Sequence, residues 1–207
     1  MGFITRSNPV SLTRQNKIIL ASQSPRRKKI LQFLSVSFRV VKPHGVDESP
    51  LAGESAPELV KRLSLYKALA VAKRYSRFPI IAADTVVVKK NKIYGKPKDA
   101  REAFKMIQSL QGTRHEVWTG TALIWGKHGI RESHSQKTTV FFRRLELGEI
   151  KKYVQTKEAY DKAGAYDIQA TASNWIKKWE GDYFNVMGLP TQWVIQQMVK
   201  INRLKKF

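Results

Sequence analysis

Short apolar runs alternate with helix-period segments from Lys17 to the C-terminal end, and this restricts the fold more than any other feature of the sequence. The run "KIILAS" ends in small residues, and "PRRKKILQFL" follows with Pro at a first helical position, which predicts strand, turn and helix. "SFRVVKP" predicts a second strand. "SAPELVKRLSLYKALAVAKRY" predicts a helix whose Ser55 to Glu58 form a cap and first turn. In "PIIAADTVVVKKNKIY" a buried strand, "IIAA", is expected to break at Asp84 and Thr85, ahead of a hairpin turning near Lys90 and Asn91. "DAREAFKMIQSLQG" reads as a helix stopped by Gly112, two strands flank the turn from Gly126 to Gly129, and "LGEIKKYVQT" returns to helical spacing. A final helix is predicted from Thr191 to Leu204. Such interleaving argues for an α/β fold, one domain over 17–207, preceded by a loose basic extension over 1–16.

Composition removes several function classes. With 0 Cys, the chain has no disulfide, thiolate zinc site, iron–sulfur ligand or cysteine nucleophile, and a reducing, cytoplasmic setting is expected. No apolar stretch is long enough to span a membrane, and residues 1–16 lack the apolar core of a signal peptide. The net charge of +22 draws attention to polyanions. The excess is spread widely, with nine basic and no acidic residues before Asp47 and 25 against 16 from there to Asp182. Weak, salt-sensitive association with nucleic acid is the expected consequence, since scattered lysines neutralise phosphates without reading bases.

Common nucleotide motifs are missing. There is no Gly-x-Gly-x-x-Gly after a strand, no P-loop spacing around Gly126-Lys127, no second His after His115-Glu116 and no Gly-x-Ser-x-Gly. What remains is "LASQSPRRKKIL", where Ser22, Gln23 and Ser24 lead into two arginines at a helix start. Free amides, hydroxyls and guanidinium forks at that point would cradle phosphate, although a capped helix with a solvated basic first turn has the same sequence. Asp84, at the end of an apolar run, is either a turn cap or an acid that holds a divalent ion or orients water. Asp47-Glu48 offers a second carboxylate, and Lys67 and Lys96 offer cations.

Taken in order, "LASQSPRRKKIL", "VDES", "RLSLYKA", "AADTVV", "YGKP", "GTRHEVWTG", "DKAGAYDIQ" and "GDYFNVMGLP" resemble the signature blocks of the Maf-like nucleoside triphosphate pyrophosphatases. The resemblance implies a mixed β-sheet with flanking helices, forming two lobes around a nucleotide-binding cleft. It implies cleavage between the α and β phosphorus atoms, with a Mg²⁺ or Mn²⁺ ion, in an enzyme that forms a homodimer. By motif it assigns Asp84 as proton acceptor or water-orienting acid, alternatively a metal ligand. Glu48 becomes a metal or water partner, and Ser22, Arg27, Lys67 and Lys96 surround the triphosphate.

The dTTP- and UTP-preferring branch resembles this chain in having Arg26, Thr85 and Gln169, whereas the branch preferring 7-methyl-GTP resembles a Trp, Gln, Glu pattern there. A Gln amide both donates to and accepts from a pyrimidine edge, which suits that assignment. Two positions depart from the family pattern: Asp167 and Ala170 stand where glycine is usual on either side of the "IQ" pair. A side chain there reshapes the pocket if the glycine served a positive φ. A basic nucleic-acid-binding protein and a septum-associated regulatory protein with a retained nucleotide pocket are the alternative readings of the sequence.

Overall fold

The computed structural model describes residues 17–204, so the predicted extension over 1–16 lies outside the described residues. Seven strands form one mixed sheet: β1 (Ile18–Leu20), β2 (Phe38–Val40), β3 (Ile80–Lys89), β4 (Lys92–Tyr94), β5 (Arg114–Trp125), β6 (Ile130–Phe142) and β7 (Ile176–Glu180). Their order is β2-β1-β3-β5-β6-β7, with β4 paired to β3. The pairs β1/β2 and β1/β3 are parallel and the remainder antiparallel. Parallel neighbours need crossovers, which are supplied by helices α1 (Pro25–Phe33) and α2 (Ala56–Tyr75).

Further along the chain lie α3 (Ala100–Leu110), α4 (Leu147–Val154), the short α5 (Tyr183–Val186) and α6 (Thr191–Leu204). Apolar residues of α1, α3, α4 and α6 cover one face of the sheet, and α2 covers the other. Each helix starts where local chemistry favours it. Ser24 caps α1 ahead of Pro25, the Ser55 N–H donates to Glu58 at the start of α2, and Asp99 caps α3. No helix among the described residues is long and apolar enough to cross a membrane.

The sequence expectation fails at one place that matters. β3 does not break at Asp84 and Thr85 but runs through them, because β5 pairs with it residue by residue, including Asp84 with Gly120 and Thr85 with Thr119. A continuous antiparallel ladder outweighs the poor strand preference of a single Asp. The hairpin turns where expected, with Lys90 and Asn91 both at positive φ. On its other side β3 is paired with β1 only at Ile80 and Ile81 and with β4 only from Val87 onward. The sheet therefore has a notch, and Asp84 and Thr85 sit in it.

Candidate active site

Alternation along β3 sends neighbouring residues to opposite faces of the sheet. Ile80 and Ala82 pack beneath α2, and Ile81 and Ala83 pack in the opposite core, so Asp84 belongs to the α2 face and Thr85 to the α1 face. One strand thus delivers two adjacent functional side chains to two different layers.

On the α2 face, Gly120 lies opposite Asp84, and a Cβ there would come within 2.0 Å of the Val60 carbonyl oxygen. Only glycine lets the helix approach the sheet so closely. About two helical turns beyond Val60, Lys67 reaches back toward the helix N-terminus, the direction in which helical side chains lean. Its Nζ lies 2.5 Å from Asp84 Oδ1 and 2.9 Å from Glu48 Oε1. Lys67 and Asp84 are buried, whereas Glu48 is exposed on the loop between β2 and α2.

That loop is clamped. Arg62 donates to both Glu54 carboxylate oxygens, at 2.6 and 2.7 Å, and to the Ser49 carbonyl at 2.9 Å. Hydrogen bonding from Arg62 holds the Glu54 carboxyl below its usual range, and Glu54 raises Arg62 in turn.

On the α1 face, Arg27 projects from the first turn of its helix. Nε donates to the Gly188 carbonyl at 2.8 Å, Nη1 to Ser22 Oγ at 3.1 Å and Nη2 to Thr85 Oγ1 at 3.1 Å. A guanidinium has five N–H groups, so one on each terminal nitrogen is left for an anion. Ser22 Oγ accepts from Arg27 and from the Ser24 N–H, which leaves the hydroxyl proton of this buried serine as a donor. Burial pulls Arg27 down to about 10, partly offset by the charge of Asp84 and deepened by Arg26, so it stays cationic at neutral pH. Asp84, paired with Lys67, and Thr85, bonded to Arg27, are consecutive on β3, so the two clusters adjoin across the notch.

The three residues associated with base choice separate. Arg26 Nη1 is 3.4 Å from Asp167 Oδ2, the Gln169 N–H donates to Asp167 Oδ1 at 3.0 Å, and the Gln169 side chain lies near Tyr183. Lys162 also faces Asp167, at 3.7 Å. Arg26 and Gln169 therefore share one cluster, centred on the carboxylate that departs from the family pattern. Thr85 stands apart, its hydroxyl engaged by Arg27 and Thr119. Neither departure strains the backbone, because Asp167 is not among the positive-φ residues and Ala170 has a φ of −115°. Lys96 is exposed between β4 and α3, and no hydrogen bond or ion pair joins it to the other predicted residues.

A carboxylate pair bridged by one ammonium on one face, and a serine–arginine anion cradle on the other, meet at a gap in the sheet. The sequence matches the family described as Maf-like protein over residues 17–201. The chain belongs to that Maf-like family. It is 45% identical over 174 residues to the dTTP/UTP pyrophosphatase of Pelotomaculum thermopropionicum, covering 84% of this chain and 91% of that one. The protein of the same name from Syntrophus aciditrophicus is 40% identical over 188 residues, 91% of each chain. That of Geobacter sp. strain M21 is 41% identical over 191 residues, 92% of this chain and 98% of the other. Among solved structures, the Staphylococcus aureus Ham1 protein is similar over 61% of this chain and 72% of its own, with a TM-score of 0.44 and 15% identity.

Several residues at the Maf-like site carry no signal that singles them out in sequence. Arg62 and Glu54 are an ordinary charge pair until the loop brings them together. Thr119 and Gly188 lie inside "GTRHEVWTG" and "GDYFNVMGLP" without a chemical signature of their own. Gly188 is needed for two reasons: its φ is +100°, and a Cβ there would stand 3.1 Å from Thr85 Oγ1 and 3.4 Å from Arg27 Nε.

Proposed function

We infer that this Maf-like protein is a nucleoside triphosphate pyrophosphatase acting on dTTP and UTP, or on modified pyrimidine nucleotides, to give the monophosphate and pyrophosphate. The observation that carries the reading is the meeting of Arg27 and Ser22 with Asp84, Glu48 and Lys67 from opposite faces of the sheet. The names of relatives 40–46% identical supply the substrates. The nucleic-acid and septum readings gain no support from these relatives.

In this reading the triphosphate lies along the notch. The free N–H groups of Arg27 and the Ser22 hydroxyl bind its oxygens, and the cations withdraw charge from phosphorus so that an oxygen nucleophile can approach. Water adds to one of the two phosphorus atoms flanking the α–β bridge, and the bridging oxygen leaves with the other. The proton lost by the water passes to Asp84. No covalent intermediate is needed, since the site contains no cysteine and no serine paired with a base.

The family implies a divalent ion, and the donor set fits one. Glu48 and Asp84 already share a single cation, and a Mg²⁺- or Mn²⁺-type ion is commonly held by one or two carboxylates together with substrate phosphates. When bound, such an ion supplies positive charge to the phosphate oxygens. Arg26 and Gln169 are the groups positioned for the base, with the exposed Lys96 an outer cation for the phosphate tail. A homodimer and a cytoplasmic location complete the reading by family resemblance.

The test is a product assay. dTTP or UTP with Mg²⁺ or Mn²⁺ is expected to yield pyrophosphate and monophosphate in equal amounts, with no product when the metal is chelated. Release of orthophosphate from the γ position would refute the assignment.

A further inference from the structure

Thr119 lies on β5 directly opposite Thr85, is fully buried, and among the groups so far assigned to substrate hydrogen-bonds Thr85 alone. Its hydrogen bonds have a fixed direction. A hydroxyl has one proton and two acceptor sites. The Thr119 hydroxyl donates to the Asn185 carbonyl at 2.9 Å, so in its 3.0 Å contact with Thr85 it can only accept. The Thr85 proton is therefore committed to Thr119, and the Thr85 oxygen is turned toward Arg27 Nη2, which can only donate.

A second path leads from Thr119 to the same guanidinium. The Asn185 carbonyl also accepts the Gly188 N–H at 2.9 Å, and the Gly188 carbonyl receives Arg27 Nε–H at 2.8 Å. One buried hydroxyl thus sets both the side-chain acceptor and the backbone acceptor that hold Arg27.

We propose that Thr119 is a positioning residue for the phosphate-binding arginine, acting on Arg27 through Thr85 and through the Asn185–Gly188 turn. The proposal rests on the pyrophosphatase reading of the site and deepens it. It also moves Thr85 from the base to the phosphates: with its proton given to Thr119 and its oxygen facing Arg27, Thr85 governs how tightly any triphosphate is held.

The experiment compares Thr119→Val, which keeps the shape and removes the hydroxyl, with Thr119→Ser, which keeps the hydroxyl. In Thr119→Val, KM is expected to rise on the order of tenfold, as for a buried polar group left without its partner, by the same factor for dTTP, UTP and GTP. The fall in kcat is expected to be smaller. Affinity for inorganic tripolyphosphate, measured by calorimetry without turnover, should weaken by a similar factor, and Thr119→Ser should restore both. If Thr119→Val does not fold, Thr85→Val, which removes the acceptor for Nη2 on a strand that favours Val, carries the same expectation.

Unchanged tripolyphosphate affinity in a folded variant would overturn the proposal, as would a KM change confined to one base, or no tripolyphosphate binding by the unaltered protein. If the unaltered protein binds tripolyphosphate but releases no pyrophosphate from dTTP, the assigned reaction fails and the calorimetric comparison still decides the role of Thr119.

Discussion

Lys67 Nζ bridges the carboxylates of Asp84 and Glu48, at 2.5 and 2.9 Å, so the ammonium occupies the position from which both acids would serve a metal or a water. It therefore competes with any divalent ion for the pair. Lys67→Met is expected to tighten Mn²⁺ binding to the free protein, measured by calorimetry, while lowering turnover by about 10² through loss of a cation from the site. Weaker Mn²⁺ binding in the variant would mean that the carboxylates do not form the metal site.

Asp84→Asn keeps an oxygen for Lys67 and removes the negative charge. Turnover should fall by about 10² or more if this acid accepts the proton. Some stability should go as well, because Asp84 is buried in its ion pair, but Glu48 remains as a partner for Lys67. A melt and a pyrophosphate assay on the same preparation separate the two effects. Full activity per folded molecule would reduce Asp84 to a structural role.

Most of the architecture was legible because it depends on local patterns: Pro25 and Ser24 start α1, Glu58 answers Ser55, and Gly112 ends the segment after α3. The error at Asp84 has a definite cause. Whether a strand continues through an acid is decided by what pairs with it, and the partner here, Gly120 on β5, is far away in sequence. The same limit hid the site's internal order. Sequence proposed Arg26, Thr85 and Gln169 as one group without showing their partners, which are the Asp167 carboxylate for Arg26 and Gln169 and the Arg27 guanidinium for Thr85. Neither the proton direction at Thr119 nor the clamp at Arg62 has a sequence signature, since each consists of contacts between distant residues.

Arg62 is the second example of indirect support. By holding Glu54 and the Ser49 carbonyl it fixes the loop on which Glu48 is carried. Arg62→Gln should cut turnover about 10- to 100-fold through displacement of Glu48, and Arg62→Lys should not restore it, because an ammonium cannot reproduce the fork on Glu54. A raised metal requirement with little change in KM for the nucleotide would mark the effect as one on Glu48. An unaltered metal titration would count against it.

For base choice, Arg26 and Gln169 are expected to act together. Gln169→Glu with Arg26→Trp should depress dTTP and UTP hydrolysis relative to 7-methyl-GTP, whereas Thr85→Gln should weaken all triphosphates alike. Asp167→Gly, which releases Arg26 from its carboxylate partner, should also shift the dTTP to 7-methyl-GTP ratio. Competition assays with paired substrates measure each ratio directly, and equal ratios across the series would remove these residues from base reading.

His115 gives the protein an acid sensitivity that is separate from catalysis. It lies buried on β5 with Nε2 2.8 Å from the Tyr166 hydroxyl and with its ring edge-on to Phe142 and Tyr166. Burial, with a smaller contribution from Lys89, pulls its pKa down to about 3. The unfolded chain, with an ordinary histidine pKa of about 6.5, binds the extra proton first as the pH falls. Stability should therefore be constant above that value and decline below it, on the order of 1 kcal/mol per pH unit, until the folded histidine also titrates. Glu54 and Glu149, held low by Arg62 and Arg143, contribute stability that is lost only at still more acid pH, below about 4.5. The interval between about 6.5 and 4.5 thus belongs to the histidines, chiefly the fully buried His115, with a smaller part from His134, whose pKa partial burial and then Lys61 also lower. His115→Gln offers Tyr166 a polar partner and cannot titrate, so urea unfolding should give a clearly shallower stability profile across that interval, from a lower starting value, with only the His134 contribution left. The same slope in the variant and the parent would place the acid sensitivity elsewhere.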